Sequence, residues 1–334
     1  MNHYLKACLN AKDKTLEKMN NTEKILQLRK LIYSQLLPII GKKCILLDAP
    51  YYHNIGDVLI WTGEECFFKD NGIECLYTAS YETCRFPKFD RDVTVVFNGG
   101  GNLGDIYREH MDFLLEVLKH YPENRIVVCP QTVYYQDATF FKKDFSIIKR
   151  HADLFFCARD KTVFDMLEPI LGDRVMLLPD MAFYVEEDML SSYKKETTRD
   201  KLIIRRDDVE VKNGAQLDLD GDVHDWPVFE HSFRRSTFLN KIFKKISDAK
   251  IPLITNVSNR LWDSFAITFR KLMIREGVNF ISPYKVVEST RLHGCILSIL
   301  LCKEVILCDN SYGKNLHFYD TWLNDLESVI IKKS

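Results

Sequence analysis

Short apolar runs return along this chain at helix-length intervals. Residues 43–48 (KCILLD), 73–79 (IECLYTA), 93–98 (VTVVFN), 125–130 (RIVVCP), 154–159 (LFFCAR) and 175–180 (VMLLPD) are rich in β-branched and other apolar side chains. Strands apolar on both faces that alternate with helices predict a parallel sheet covered on both sides. A second series follows: 202–207 (LIIRRD), 251–256 (IPLITN), a short strand around Phe280, and 304–309 (EVILCD). Helical patterns at 236–248, 261–275 and 293–302 separate its members. Ahead of both series, Ile25, Leu28, Leu31, Ile32 and Leu36 make an i, i+3, i+4 stripe that stops before Pro38, so residues 1–37 read as helical.

The expected architecture is α/β, with two Rossmann-like doubly wound domains facing a cleft. The boundaries read as a helical segment over 1–40, a first domain over 41–195, a second over 200–314 and a closing helix over 315–334. The polar stretch 191–200 (SSYKKETTRD) is the expected hinge. At 334 residues two domains are the natural prior, and 46% hydrophobic residues suffice for a core in each.

A formal charge of −1 gives no global attraction to nucleic acid or anionic lipid, so an anion site must be local. No leader pattern opens the chain, and no apolar stretch approaches the roughly 20 residues a spanning helix needs. The expectation is a soluble, cytoplasmic protein. Ten cysteines are spread thinly with no C-x-x-C pair, and several lie in apolar runs, as reduced thiols do.

One polar tetrapeptide occurs twice at a strand-to-helix corner: Asn54-Ile55-Gly56-Asp57 and Asn102-Leu103-Gly104-Asp105. The glycine permits a tight turn, and Asp57 and Asp105 are expected to cap the helices that follow. Both loops carry more than a cap requires, with His53 and Asn54 in one and Gly99, Gly100, Gly101 and Asn102 in the other. They follow the first and third strands, which adjoin at the switch point of a flavodoxin-like sheet, where ligands bind. Gly99, Gly101 and Gly104 satisfy G-x-G-x-x-G, but the next strand ends VVCPQ without a carboxylate, which argues against a dinucleotide. The glycines are better read as letting a ligand approach the backbone.

The second half holds the basic residues, in VESTRLHGCILSILLC. Ser289 or Thr290 is placed to cap a helix, with Arg291 and His293 in its first turn and Gly294 packing closely. Cations there oppose the macrodipole, which makes sense if an anion arrives. His293 is also the residue suited to relaying a proton near neutral pH. The alternative pairs Arg291 with Glu288. Arg159 ends a first-half strand, with Asp160 placed to cap the next helix, and one of Arg205 and Arg206 could face the cleft. The acidic stretch 207–231 contains DLDGD but lacks EF-hand spacing. It reads as a solvated loop or lid, in which His224 and Trp226 could touch a sugar.

NIGDVLIWTG, FNGGGNLGD, CARDKTVF, LLPDMAF, STRLHG and CDNSYGKN, in that order over roughly residues 45 to 315, resemble the polysaccharide pyruvyltransferase family. The resemblance implies a fold similar to two-domain glycosyltransferases of the GT-B type. It also implies transfer of a pyruvyl group from phosphoenolpyruvate to a sugar diol of a polysaccharide or lipid-linked oligosaccharide precursor, forming a cyclic ketal and releasing phosphate. The family's arginine and R-L-H motif fall on Arg159 and on Arg291, Leu292 and His293. His293 is then expected to move the proton, while Arg159, Arg291, Leu292 and Lys314 hold the donor. His53, Asn54, Gly100, Gly101 and Asn102 would shape the acceptor side, with Asp57 or Asp105 accepting a hydroxyl proton. Phosphoenolpyruvate is the co-substrate, no cofactor or metal is expected, and the partner is a sugar acceptor. If that acceptor is lipid-linked, weak membrane-surface association follows; nucleic acid is not a partner. The rival readings are a GT-B nucleotide-sugar glycosyltransferase and a non-catalytic carbohydrate-binding protein of the same fold.

Overall fold

The structure, a computed structural model, describes residues 18–205, 220–227, 252–309 and 313–332, and over 252–265 the backbone alone. Two parallel sheets carry it. The first contains β1 (Lys43–Leu47), β2 (Glu74–Ala79), β3 (Thr94–Phe97), β4 (Gly100–Gly104), β5 (Ile126–Tyr134), β6 (Leu154–Ala158) and β7 (Val175–Leu177). Their order is β2-β1-β3-β5-β6-β7, with β4 paired to the far end of β5. The second contains β8 (Arg199–Ile204), β9 (Asp222–His224), β10 (Tyr284–Ser289), β11 (Glu304–Cys308) and β12 (Val329–Lys332), ordered β12-β11-β10-β8-β9.

In each sheet the first strand lies between the second and the third, so the chain reverses its direction of winding there. Ligands of open parallel sheets bind beyond the carboxyl ends at such a reversal. The chain therefore has two switch points, one after β1 and β3 and one after β8 and β10.

The helices are α1 (Asn21–Leu36), α2 (Ile55–Asp70), α3 (Arg108–His120), α4 (Ala138–Ile148), α5 (Lys161–Leu171), α6 (Glu187–Ser191), α7 (Pro252–Ile281), α8 (Leu292–Leu300) and α9 (Lys314–Trp322). One face of the first sheet packs with α3, α4 and α5 through Ile45, Val95, Val128, Leu114, Phe145 and Leu167. The other face belongs to a cluster that does not stop at the sheet. It runs from Leu46, Val96 and Val127 through Val58 and Leu59 of α2 to Ile204, Val287 and Ile296 of the second half. Apolar burial thus joins the two sheets. α1 fastens them further, since Lys24 pairs with Asp325 at 2.7 Å while Arg29 lies over the Tyr184 ring at 4.9 Å.

Three expectations are corrected. Residues 252–256 begin the long helix α7, which runs through Phe280 to Ile281, and the strand follows at Tyr284–Ser289. A six-residue apolar run fits strand or helix equally well by pattern, and here it continues into a helical stripe that buries Phe269, Met273, Ile274 and Val278. The closing segment is α9 followed by β12, because the β-branched run Val329-Ile330-Ile331 adds an edge strand beside β11. The stretch 191–200 hydrogen-bonds to the second half, where Thr198 and Arg199 donate backbone N–H groups to Pro283 O and Lys195 N–H reaches Ser282 Oγ. Finally, 100–104 is extended rather than a loop. The helical pattern at 236–248, Arg206 and most of the 207–231 segment lie outside the described residues.

Candidate active site

The twin tetrapeptides do different work. At the first, Asn54 is the N-cap of α2: its Oδ1 accepts from Gly56 N–H at 3.0 Å. Asp57 is not the cap. It sits buried in the first turn, and its Oδ2 accepts from Asn54 Nδ2 (2.8 Å) and Tyr52 O–H (2.9 Å). Tyr52 in turn accepts from Asn102 Nδ2 at 3.0 Å, so a hydrogen-bonded chain links the two loops. At the second, Asp105 caps no helix either. Its carboxylate accepts backbone N–H groups of Gln136 and Asp137, and α3 begins only at Arg108. A Cβ on Gly104 would meet Tyr134 O at 1.7 Å, so that glycine serves the pairing of β4 with β5.

Across from α2, Arg291 takes the N-cap position of α8, with Leu292 and His293 next. Neither Ser289 nor Thr290 caps the helix. Ser289 Oγ accepts from Arg291 N–H at 3.0 Å, and Thr290 Oγ1 donates to Ile204 O. Gly294 does pack closely: a Cβ there would lie 2.4 Å from Ser289 Oγ. Arg291 grips Asp225 with two bonds, Nε–Oδ1 at 2.5 Å and Nη2–Oδ2 at 2.6 Å. Glu288 pairs instead with Lys201 and Lys332.

These elements enclose a cavity of about 310 Å³. Asn54, Asp57, Gly101 and Asn102 line one side, Arg291, Leu292, His293 and Lys314 the other. Tyr52, Tyr81, Tyr107, Glu109, His110, Trp226 and Asn315 complete it. The two expected loops and the basic helix are therefore brought together. His53, Gly100, Asp105 and Arg159 are not among the lining residues. His53 lies edge-on to Phe269, with ring centroids 5.2 Å apart, and burial holds its pKa below the usual value.

Arg159 is fully buried behind the wall. It donates to Thr132 Oγ1 and, through Nη1 at 2.9 Å, to Asp180 Oδ2. The same oxygen lies 3.2 Å from His293 Nε2. Burial alone would raise the Asp180 pKa, but His293, Arg159 and the Ala182 N–H outweigh it and hold the carboxyl well below the carboxylate range. Asp180 is thus an anion held between the imidazole of His293 and the guanidinium of Arg159. The motif LLPD carried this residue, but its bond to His293 crosses 113 positions of sequence and has no local signature.

The glycines show how closely the walls approach. A Cβ on Gly56 would sit 2.4 Å from His293 Nδ1, and one on Gly101 would sit 2.4 Å from Lys314 Nζ and 2.9 Å from Arg159 Nη2. Lys314 opens α9, so α8 and α9 both begin at the cavity with a cation. Unpaired N–H groups and the macrodipole at helix N-termini favour an arriving anion. Among the described residues no cluster of three or more His, Cys, Asp or Glu has metal-holding geometry, and no helix is long and apolar enough to cross a membrane.

Sequence reasoning missed further contributors beside Asp180. Asp48 and His110 form a buried pair at 2.7 Å in one wall, and Asp225 holds Arg291. Trp226 lines the cavity, whereas His224 stands off it, edge-on to Phe280.

The parallel-sheet α/β fold thus carries a polar cavity at its switch points, where a histidine lies beside two cations. A profile of the polysaccharide pyruvyl transferase family matches residues 54–312. The chain is 32% identical over 306 residues to "Putative pyruvyl transferase EpsO" of Bacillus subtilis (strain 168), covering 89% of this chain and 91% of that one. It is 24% identical to "Pyruvyl transferase 1" of Schizosaccharomyces pombe, covering 85% and 70% respectively. The crystal structure of an uncharacterised Klebsiella pneumoniae protein is similar in fold, with a TM-score of 0.62 at 20% identity, over 91% of this chain and 98% of that one. The chain belongs to the polysaccharide pyruvyl transferase family, a family of enzymes.

Proposed function

We propose that this enzyme takes its pyruvyl group from phosphoenolpyruvate and places it on two hydroxyls of one sugar, closing a cyclic ketal and releasing phosphate. The observation that carries this reading is the shared cavity of Arg291, Lys314 and His293, set against a hydroxyl-rich and carboxylate wall. At about 310 Å³ it lies at the low end of the roughly 300–1,000 Å³ typical of small-molecule sites. Phosphoenolpyruvate carries a carboxylate and a phosphate. Lys314 and Arg291, the latter also held by Asp225, offer two cations at helix N-termini to those groups.

His293, oriented by Asp180, gives a proton to the vinyl carbon, and C2 becomes open to attack by an acceptor hydroxyl. Asp57, with Asn54, Tyr52 and Asn102 around it, binds the acceptor side. Trp226 offers a flat apolar face to a sugar ring. A GT-B-like opening and closing of the two halves would admit the acceptor. The acceptor is a saccharide of a growing surface polysaccharide, free or carried on a lipid at the inner membrane face.

The test is phosphate release from phosphoenolpyruvate against a panel of methyl glycosides of galactose, glucose and N-acetylmannosamine, paired with thermal shifts. Phosphoenolpyruvate should raise the melting temperature and a UDP-sugar should not. The reverse pattern, with no phosphate released on any acceptor, would refute the proposal in favour of nucleotide-sugar transfer.

A further inference from the structure

Ketal formation removes two hydroxyl protons from the acceptor, and His293 alone does not suit both tasks. The opposite wall holds a second Asp–His pair. His110 is the third residue of α3, and Asp48 ends the loop side of β1. His110 Nδ1 and Asp48 Oδ2 lie 2.7 Å apart, with both residues 5% exposed. His110 lines the cavity, and its Nε2 makes no hydrogen bond to the described residues. The edges of Tyr52 and Tyr81 hold the ring, with centroids at 6.2 and 5.1 Å. Asp48 itself adopts φ 65°, a left-handed conformation uncommon for a residue with a side chain and typical of functional sites.

We propose that His110, oriented by Asp48, is the proton acceptor for the sugar, facing His293 across the donor; this rests on the pyruvyl-transfer reading above. The atoms balance as follows. The His293 imidazolium gives its proton to C3, whose π electrons form the new C–H bond. The first hydroxyl oxygen bonds C2, and its proton passes to His110 Nε2. The C2–O bond to phosphorus then breaks with its electron pair on the phosphate, which takes the proton from His110. The second hydroxyl bonds C2, and its proton restores His293. One diol and one phosphoenolpyruvate give one ketal and one hydrogen phosphate, and both histidines return to their starting state.

The surroundings suit a base. Burial would lower the His110 pKa, but the hydrogen bond and charge of Asp48, with Asp57 and Glu109 nearby, outweigh it and hold the value above the usual one. Asp48 is raised by its burial and lowered in part by His110. The other groups facing the ring, Tyr52 and Tyr81, are both raised by burial and stay neutral near pH 7.

The test uses the full chain with phosphoenolpyruvate and the three methyl glycosides. His110→Gln should lower kcat by roughly 10²–10⁴-fold, the usual worth of a positioned proton transfer, while keeping the thermal shift given by phosphoenolpyruvate. It should also abolish the rise of rate with pH that deprotonation of His110 produces. Asp48→Asn should move that rise to lower pH, because the charge that raises the His110 pKa is gone. A His110→Gln enzyme that melts as the wild type does and turns over within threefold of it would overturn the proposal. If His110→Gln melts below the assay temperature, Asp48→Asn decides: an unmoved pH profile overturns the proposal, and a shifted one supports it. A wild type that releases no phosphate on any of the three glycosides defeats the pyruvyl-transfer reading itself, which is a different result.

Discussion

Asp180 Oδ2 lies 3.2 Å from His293 Nε2 and 2.9 Å from Arg159 Nη1, so one carboxylate oxygen joins a buried guanidinium to the cavity imidazole. Arg159 comes from the end of β6 and Asp180 follows β7, both in the first half, while His293 belongs to α8 in the second. The contact therefore couples the positioning of the catalytic candidate to the join between the sheets. It also leaves His293 Nδ1 on the side of Gly56.

Removing that carboxylate leaves Arg159 charged and unpaired in a fully buried site. Breaking a buried pair from one side costs about 3–5 kcal/mol, so Asp180→Ala should lower the melting temperature sharply. Asp180→Asn keeps the shape and loses the charge, and should lower kcat at least 100-fold with a smaller loss of stability. The sign with pH follows from the depressed pKa of Asp180. Its stabilisation is complete above the unfolded value of about 3.9 and is lost as pH falls through the lower folded value. The melting gap between wild type and Asp180→Asn should thus be widest near neutrality and close in strong acid. A gap that grew on acidification would contradict the assignment.

The paired tetrapeptides predict opposite outcomes for the same substitution. Gly56→Ala puts a methyl 2.4 Å from the His293 ring, in a helix where alanine is otherwise favoured. Phosphate release should drop at least tenfold, with a smaller fall in melting temperature than Gly104→Ala shows. Gly104→Ala meets backbone at 1.7 Å, at φ 143°, and should destabilise the fold instead. Circular dichroism melts beside turnover assays separate the two, and a folded, fully active Gly56→Ala would remove His293 from the chemistry.

The contrast shows how far the sequence was legible. Alternation of apolar runs with helices located most strands of the first sheet along the chain, and the adjacency of β1 and β3 followed from the doubly wound pattern. The R-L-H helix and the Asn54–Asp57 corner were visible because each is a short motif at an element boundary. Asp180, Asp225 and the Asp48–His110 pair were not. Each acts through a partner that only the topology brings near, 62 residues apart for Asp48 and His110 and 66 for Arg291 and Asp225. The pairing of Arg159 with Asp180 was hidden for the same reason. A terminal arginine on a buried strand gives no local sign of the carboxylate it meets, here 21 residues further along the chain.

Lys314 is the cation whose loss should read most directly as donor affinity. It opens α9 with its Nζ against the Gly101 backbone, where a Cβ would come within 2.4 Å. Charge-assisted bonds to a carboxylate or phosphate contribute about 1.5–3 kcal/mol, so Lys314→Met should raise the KM for phosphoenolpyruvate about 10- to 100-fold. The KM for the acceptor should move far less. Gly101→Ala should push the same way by displacing the ammonium. Equal effects on both substrates would place Lys314 in the framework and not at the donor.

Glu64 gives a stability prediction of the opposite sign to Asp180. It is fully buried on α2, where Oε1 accepts the Gly99 N–H at 2.9 Å and the Cys129 thiol lies beside it. Burial pushes its carboxyl well above the usual range; the Gly99 and Cys129 contacts offset this only in part, and Glu65 and Asp180 add to it. The folded protein therefore keeps a proton that the unfolded chain releases above about pH 4.3. That stabilisation is complete below the unfolded value and drains away as pH rises toward the folded one, by up to about 1.4 kcal/mol per pH unit. Glu64→Gln retains an acceptor for Gly99 and has no proton to lose. Its melting temperature should match the wild type near pH 4.5 and exceed it increasingly toward pH 8. A difference independent of pH would mean that Glu64 is ionised in the folded protein, with a cation supplied from outside the contacts described above.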